Sequence, residues 1–186
     1  MIKRYEIPLL PFIEKREEHE KIRASRARNP KKQKVKKIPI RFVSVNNMYP
    51  VSPFGRGKYL SDEGRLWKEY IKEMLEEQDN GVPFVFGEDF YEISYIFYMT
   101  HEMLYTKDDN LRKIDVSNML KAAEDALFDY LLDDDSSVVS IHGHKRLTLE
   151  DPKAVFLVSP ADITDGILHK EKTIDTYKLE HNEALL

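Results

Sequence analysis

Apolar residues recur along the chain with a period that switches between two and 3.6. The clearest block is 89–100, where Tyr91, Ile93, Tyr95, Phe97 and Met99 share one face at period two. Phe90, Ile96 and Tyr98 make the other face apolar too, which predicts a strand covered on both sides near the centre of a sheet. Upstream, Leu66, Trp67, Tyr70, Ile71 and Met74 recur at helical spacing. Ser61 stands as N-cap, Asp62 and Glu63 fill the first turn, and Asp79, Asn80 and Gly81 stop the helix. A second helix is predicted over Val116–Leu131, then strands over 137–147 and 153–159, joined by a turn at Glu150, Asp151 and Pro152. A short first strand is predicted at 38–43, where Ile38, Ile40 and Phe42 alternate with Pro39, Arg41 and Val43. Residues 44–58 are a loop by composition. The resulting order is β-α-β-α-β-β, an α/β fold with a small mixed sheet and two main packed helices.

Both ends read differently. Pro8 and Pro11 argue against a helix over residues 1–13, which predicts an extended segment docked on the body or on a partner. Residues 14–37 read as a charged arm, helical up to Arg28 and broken at Pro30. The expected organisation is a basic N-terminal arm (1–37), a compact domain (38–160) and a weakly patterned tail (161–186).

Charge sharpens this division. The formal net charge is −4, yet residues 1–37 carry 13 Lys or Arg against 5 Glu, leaving the other 149 residues at −12. A basic arm ahead of an acidic body suits a polyanion partner, or is a solvated tail. An acidic body makes most sense if some of its acid holds a cation. With no cysteine, thiolate metal sites, disulfides and thiol nucleophiles are excluded. The longest apolar runs are about five residues, far short of the ~18 needed to cross a bilayer, and the start lacks the apolar stretch of a signal peptide. A cytoplasmic protein with no membrane partner is expected.

The chemistry concentrates around the second helix. At 100° per residue, Asp115, Asn118, Lys121 and Asp125 fall within an arc of roughly 120°, opposite Val116, Met119, Leu120, Ala123, Ala126, Leu127 and Tyr130. Asp115 stands at the helix start, where a carboxylate accepts backbone N–H bonds. Asp133, Asp134 and Asp135 follow the helix. All-oxygen acidic clusters suit Mg²⁺ or Mn²⁺, and a nearby lysine can counter charge developing on a phosphate. Taken singly, the same residues read as an N-cap, a solvated face with a Lys–Asp pair and a solvated turn.

The ordered run of Asp115, Asn118, Lys121, Asp125 and Leu127, then Asp134, Asp135, Val138 and Lys145, resembles the RusA family of Holliday junction resolvases. The resemblance implies a RusA-like fold and a homodimeric, Mg²⁺-dependent endonuclease that nicks four-way junctions and other branched DNA in a bacterial or phage-infected cell. It implies Asp115 and Asp135 as catalytic carboxylates, with Asp134 beside Asp135 as a metal ligand. Lys121 would be the lysine needed for cleavage, and Asn118 would help order the site. The family usually has a second metal-ligating Asp directly before the Asn, where this chain has Ser117. Either Glu124 or Asp125 supplies the missing charge, or Asp133 joins its neighbours, or the protein binds branched DNA while cutting it weakly or not at all.

The remaining DNA contacts expected are Asn46, Asn47, Arg56 and Lys58 in the loop after the first strand, Asn118, Lys145, and Lys31 and Lys32 of the arm. Such contacts to phosphate carry no sequence information. Gly55, Gly57 and Lys58 lack P-loop spacing. His142 and His144 alternate on one strand face and read as ordinary surface histidines, while His19, His101, His169 and His181 carry no pattern.

Overall fold

The computed structural model describes residues 2–26, 38–52, 55, 57–82, 90–131 and 137–161. Among these the elements are β1 (Lys3–Pro8), α1 (Leu10–Ser25), α2 (Val45–Met48), α3 (Asp62–Gln78), β2 (Tyr91–Met99), α4 (His101–Leu104), α5 (Val116–Leu131), β3 (Val138–Leu147) and β4 (Lys153–Pro160). They form a mixed α/β fold on a four-stranded sheet of order β1-β4-β2-β3.

β2 sits inside the sheet, parallel to β3 and antiparallel to β4, which is why both its faces are apolar. The parallel pairing requires a long crossover, and α4, the loop after it and α5 supply it. Ile93, Tyr95, Phe97, Ala154, Phe156 and Val158 are buried on one sheet face, together with Tyr5 and Ile7 of β1. Over them lie Trp67, Tyr70, Ile71 and Leu75 of α3 and the helix stripe predicted for α5. Ser61 caps α3 as expected, its Oγ accepting from the Gly64 N–H at 2.9 Å.

The approach of α5 to the sheet depends on small residues. Ala122, Ala123 and Ala126 are fully buried. On β3, a Cβ at Gly143 would stand 2.6 Å from Leu120 Cδ1 and 2.8 Å from Val116 Cγ1. Leu120 can swing aside, whereas β-branched Val116 cannot do so freely.

Two expectations are corrected. No strand forms at 38–43. Ile38, Phe42 and Val43 are buried while Ile40 is exposed, so burial does not alternate. Phe42 instead packs edge-on against Phe97 at 5.1 Å between centroids, which carries the segment over the helix-covered face. The edge beside β4 is taken by β1, paired from Lys3↔Val158 to Pro8↔Lys153. The second correction concerns the N-terminal arm, whose residues 3–25 belong to the body. Pro8 closes β1, and Pro11 lies in the first turn of α1, where its missing N–H is no loss. Phe12, fully buried, meets Trp67 edge-on at 4.8 Å. Residues 27–37, which hold Lys31 and Lys32, and 162–186 lie outside the described residues.

β1 is also pinned by a buried carboxylate. Asp79, at the C-terminus of α3, pairs with Lys3 and accepts hydrogen bonds from the hydroxyls of Tyr5 (2.7 Å) and Tyr130 (3.0 Å). Burial pushes the Asp79 carboxyl up, but these donors outweigh it and hold it below the usual carboxylate range. Burial and the adjacent Asp79 push the Tyr130 hydroxyl up to about 12.

Two outcomes are expected. Gly143→Ala should cost about 1–3 kcal/mol through overpacking, read as a Tm lowered by roughly 2–4 °C per kcal/mol for a chain of this length. A depressed carboxylate contributes stability above its unfolded pKa, near ~4, and loses it as pH falls through the lower folded value. Acid unfolding of the wild type should therefore show a slope below about pH 4 that is shallower in Asp79→Asn.

Candidate active site at the entry to α5

Asp115 is the residue before α5, and its exposed carboxylate is held from three sides. Oδ1 accepts from the backbone N–H of Ser117 at 3.0 Å and from its Oγ at 2.6 Å. Oδ2 accepts from Asn118 Nδ2 at 2.8 Å. The Ser117 hydroxyl foremost, opposed by desolvation and aided by the backbone N–H groups of Ser117 and Asn118 and the charge of Lys145, holds this carboxyl below its ordinary value. Asp115 is thus ionised and oriented, with a lone pair of Oδ2 left for a further partner.

Lys145 arrives from β3, in register with Phe97 of β2. It lies on the same sheet face as Gly143 because side chains alternate. Its ammonium donates to the Ile114 carbonyl at 3.0 Å, clamping the turn that delivers Asp115. Expected as a DNA contact, Lys145 also fixes the site's backbone.

One and a half turns along α5, the Lys121 ammonium lies 3.2 Å from Glu124 Oε2 and 3.1 Å from Asp125 Oδ1. Glu124 is buried and Lys121 half-exposed. Beneath them the buried Tyr95 hydroxyl has no hydrogen-bond partner among the described residues. Burial, then Glu124 and Asp125, push that phenol well up, so it stays protonated. The two acids are therefore engaged with Lys121. Among the described residues no group of three metal-ligating side chains forms. Asp133, Asp134 and Asp135 lie outside the described residues, between Leu131 and Val138.

Asp115 and Asn118 line a groove of about 1040 Å³. One wall is the 38–44 segment with Arg41, the other the 100–114 segment with Lys107, Arg112 and Lys113. Arg41 is set by Glu63 of α3, 3.4 Å away, and by the Asn47 side-chain oxygen. The same Glu63 pairs with buried Arg16 of α1 at 3.1 Å. Asn47, expected to touch phosphate, is half-exposed; its Oδ1 accepts from Arg41 and from Ser44 Oγ, the latter at 2.6 Å. Asn46 and Lys58 are exposed, and Arg56 lies outside the described residues. The four groove cations escaped sequence reasoning because they come from separate segments. The signal within reach was the pair Arg112 and Lys113 directly before Asp115.

His142 Nε2 lies 2.9 Å from Ser140 Oγ and 3.1 Å from Glu92 Oε1. Serine and acid share one ring nitrogen, so no Ser–His–acid relay exists there, since a relay uses both nitrogens.

An ionised carboxylate in a groove whose lining holds Arg41, Lys107, Arg112 and Lys113, with Glu102 and Asp109 among them, can meet a phosphodiester and help hold a hard cation. The family model described as Endodeoxyribonuclease RusA matches residues 39–157. That span is well over half of the chain, which belongs to the RusA endodeoxyribonuclease family. The chain matches no curated protein sequence.

If Ser117 orients and acidifies Asp115, Ser117→Ala should raise the Asp115 pKa toward the ordinary ~3.9. A carboxylate NMR titration of the two proteins would read this directly.

Proposed function

We propose that the protein is a divalent-metal-dependent endonuclease that nicks branched DNA, four-way junctions in particular, as a homodimer. The observation that carries this is the Asp115 carboxylate, ionised and held open to the groove. The residues fit a Mg²⁺ ion in one respect. Mg²⁺ binds through one or two carboxylates and keeps waters and substrate phosphate in its remaining positions, and Asp115 offers such a carboxylate. When bound, the ion would polarise the scissile phosphate and make its water a better nucleophile. Asp115 would hold it, with Asp134 and Asp135 as the further acids, and Mn²⁺ could substitute. Lys121, braced by Glu124 and Asp125, would counter charge on the phosphate. Arg41, Lys107, Arg112 and Lys113 would hold the DNA backbone, with Lys31, Lys32 and Arg56 adding to that binding.

Geometry supports the dimer. The ends of α5, 16 residues long, stand roughly 22 Å apart at 1.5 Å per residue. Asp115 precedes one end, while Leu131, the last described residue before the three aspartates, closes the other. A two-fold arrangement can bring one copy's Asp115 to the other copy's aspartates, and a two-fold enzyme suits a two-fold junction. A second reading, a branched-DNA-binding protein that cuts weakly or not at all, draws on Ser117 standing where the family usually has a metal-ligating Asp.

The test is nicking of a synthetic four-way junction beside a matched duplex, with and without Mg²⁺. Junction-selective, Mg²⁺-dependent nicking is expected, with Asp115→Asn and Asp135→Asn each reducing it at least ~100-fold, in line with loss of a transition-state electrostatic group. Binding without cleavage in Mg²⁺ or Mn²⁺ would favour the second reading. Co-expressing the two inactive variants adds a second test. A site shared between subunits leaves one intact site per mixed dimer and restores single nicks, whereas a site within one subunit restores nothing.

A further inference from the structure

In the same groove as Asp115, the rings of His101 and Tyr105 stack. Their centroids are 4.7 Å apart and their planes 17° from parallel. Both belong to the groove lining. They open and follow the single turn of α4, where Met103 and Leu104 take the core positions. Core packing therefore does not need His101, whose side chain is 58% exposed.

The Tyr105 ring is half-buried against the core. The Tyr105 backbone bridges to Leu111, and its carbonyl accepts from Arg112 Nε at 2.7 Å. Arg112 is thereby held beside the ring pair, and Lys107 and Lys113 share the same wall. Asp109 approaches the edge of His101, its Oδ1 3.6 Å from Nε2. The result is an exposed aromatic face stacked on a second ring, in a groove that also carries Lys107, Arg112 and Lys113. Cations that follow a backbone beside rings that accept a base form the arrangement by which proteins hold unpaired nucleic acid.

We propose that the His101–Tyr105 pair is a stacking platform for an unpaired nucleobase of the DNA strand lying in the groove. This rests on the nuclease reading and deepens it. A perfect duplex keeps its bases stacked on one another, so the platform would favour branch points, where a base can leave the stack. Selectivity would then come partly from the geometry of the substrate and not from its sequence.

The experiment uses the full chain in EDTA and a junction with one unpaired 2-aminopurine at the branch, beside a duplex carrying the same label. Binding by the wild type should quench the junction's fluorescence. His101→Ala should abolish most of that quenching and weaken junction binding about 5- to 150-fold. Its duplex affinity and Tm should match the wild type. His101→Phe should restore quenching and affinity, because it returns a ring without the imidazole's polar edge.

Quenching that survives His101→Ala would overturn the proposal, as would a Phe variant that behaves like Ala. If the wild type binds the junction and only the quenching pattern fails, the platform falls and the nuclease reading stands. If the wild type binds no branched DNA, both fall together.

Discussion

The site exists because α5 can lie close against the parallel pair β2 and β3. A helix carrying large side chains toward the sheet would ride higher and lift its first turn away from the strand ends. Here three buried alanines and the bare backbone of Gly143 remove that spacing. The same closeness lets Lys145 reach the Ile114 carbonyl, so the turn presenting Asp115 is held from the sheet as well as by the helix. The carboxylate's orientation is a product of packing before it is a product of local hydrogen bonds.

Buried charge organises the rest. Asp79 ties β1 to the ends of α3 and α5, and Glu63 is divided between Arg16 in the interior and Arg41 on the groove wall. Such pairs contribute little net stability against apolar replacements, but removing one partner leaves a buried charge uncompensated. Their value here is positional. Glu63 connects α1 to the groove through one carboxylate, so the N-terminal helix bears on how DNA would be met.

Much of this was legible in the sequence. The strand carrying Tyr91 to Met99, both long helices and the last two strands have strong periodicity, and the structure places them within a residue or two. The failures have specific causes. At 38–43 a period-two pattern was present, but alternation says nothing about whether a sheet edge is free, and β1 had taken it. Pro8 and Pro11 counted against a helix although one ends a strand and the other sits where a helix tolerates it. Asp115 and Asn118 were legible because they are neighbours on one helix turn. Arg41, Lys107 and Arg112 were not, since only the tertiary fold sets them on one groove.

The edge strand β1 lies wholly outside the span that defines the family, which begins at residue 39. A fragment trimmed to the family boundaries would therefore leave β4 with a row of unpaired backbone donors and acceptors, and would strip Phe12 from Trp67. Such an open edge recruits any available strand. For this protein the family span and the folding unit differ, because the leading 25 residues complete a sheet and a core that the span alone leaves unfinished.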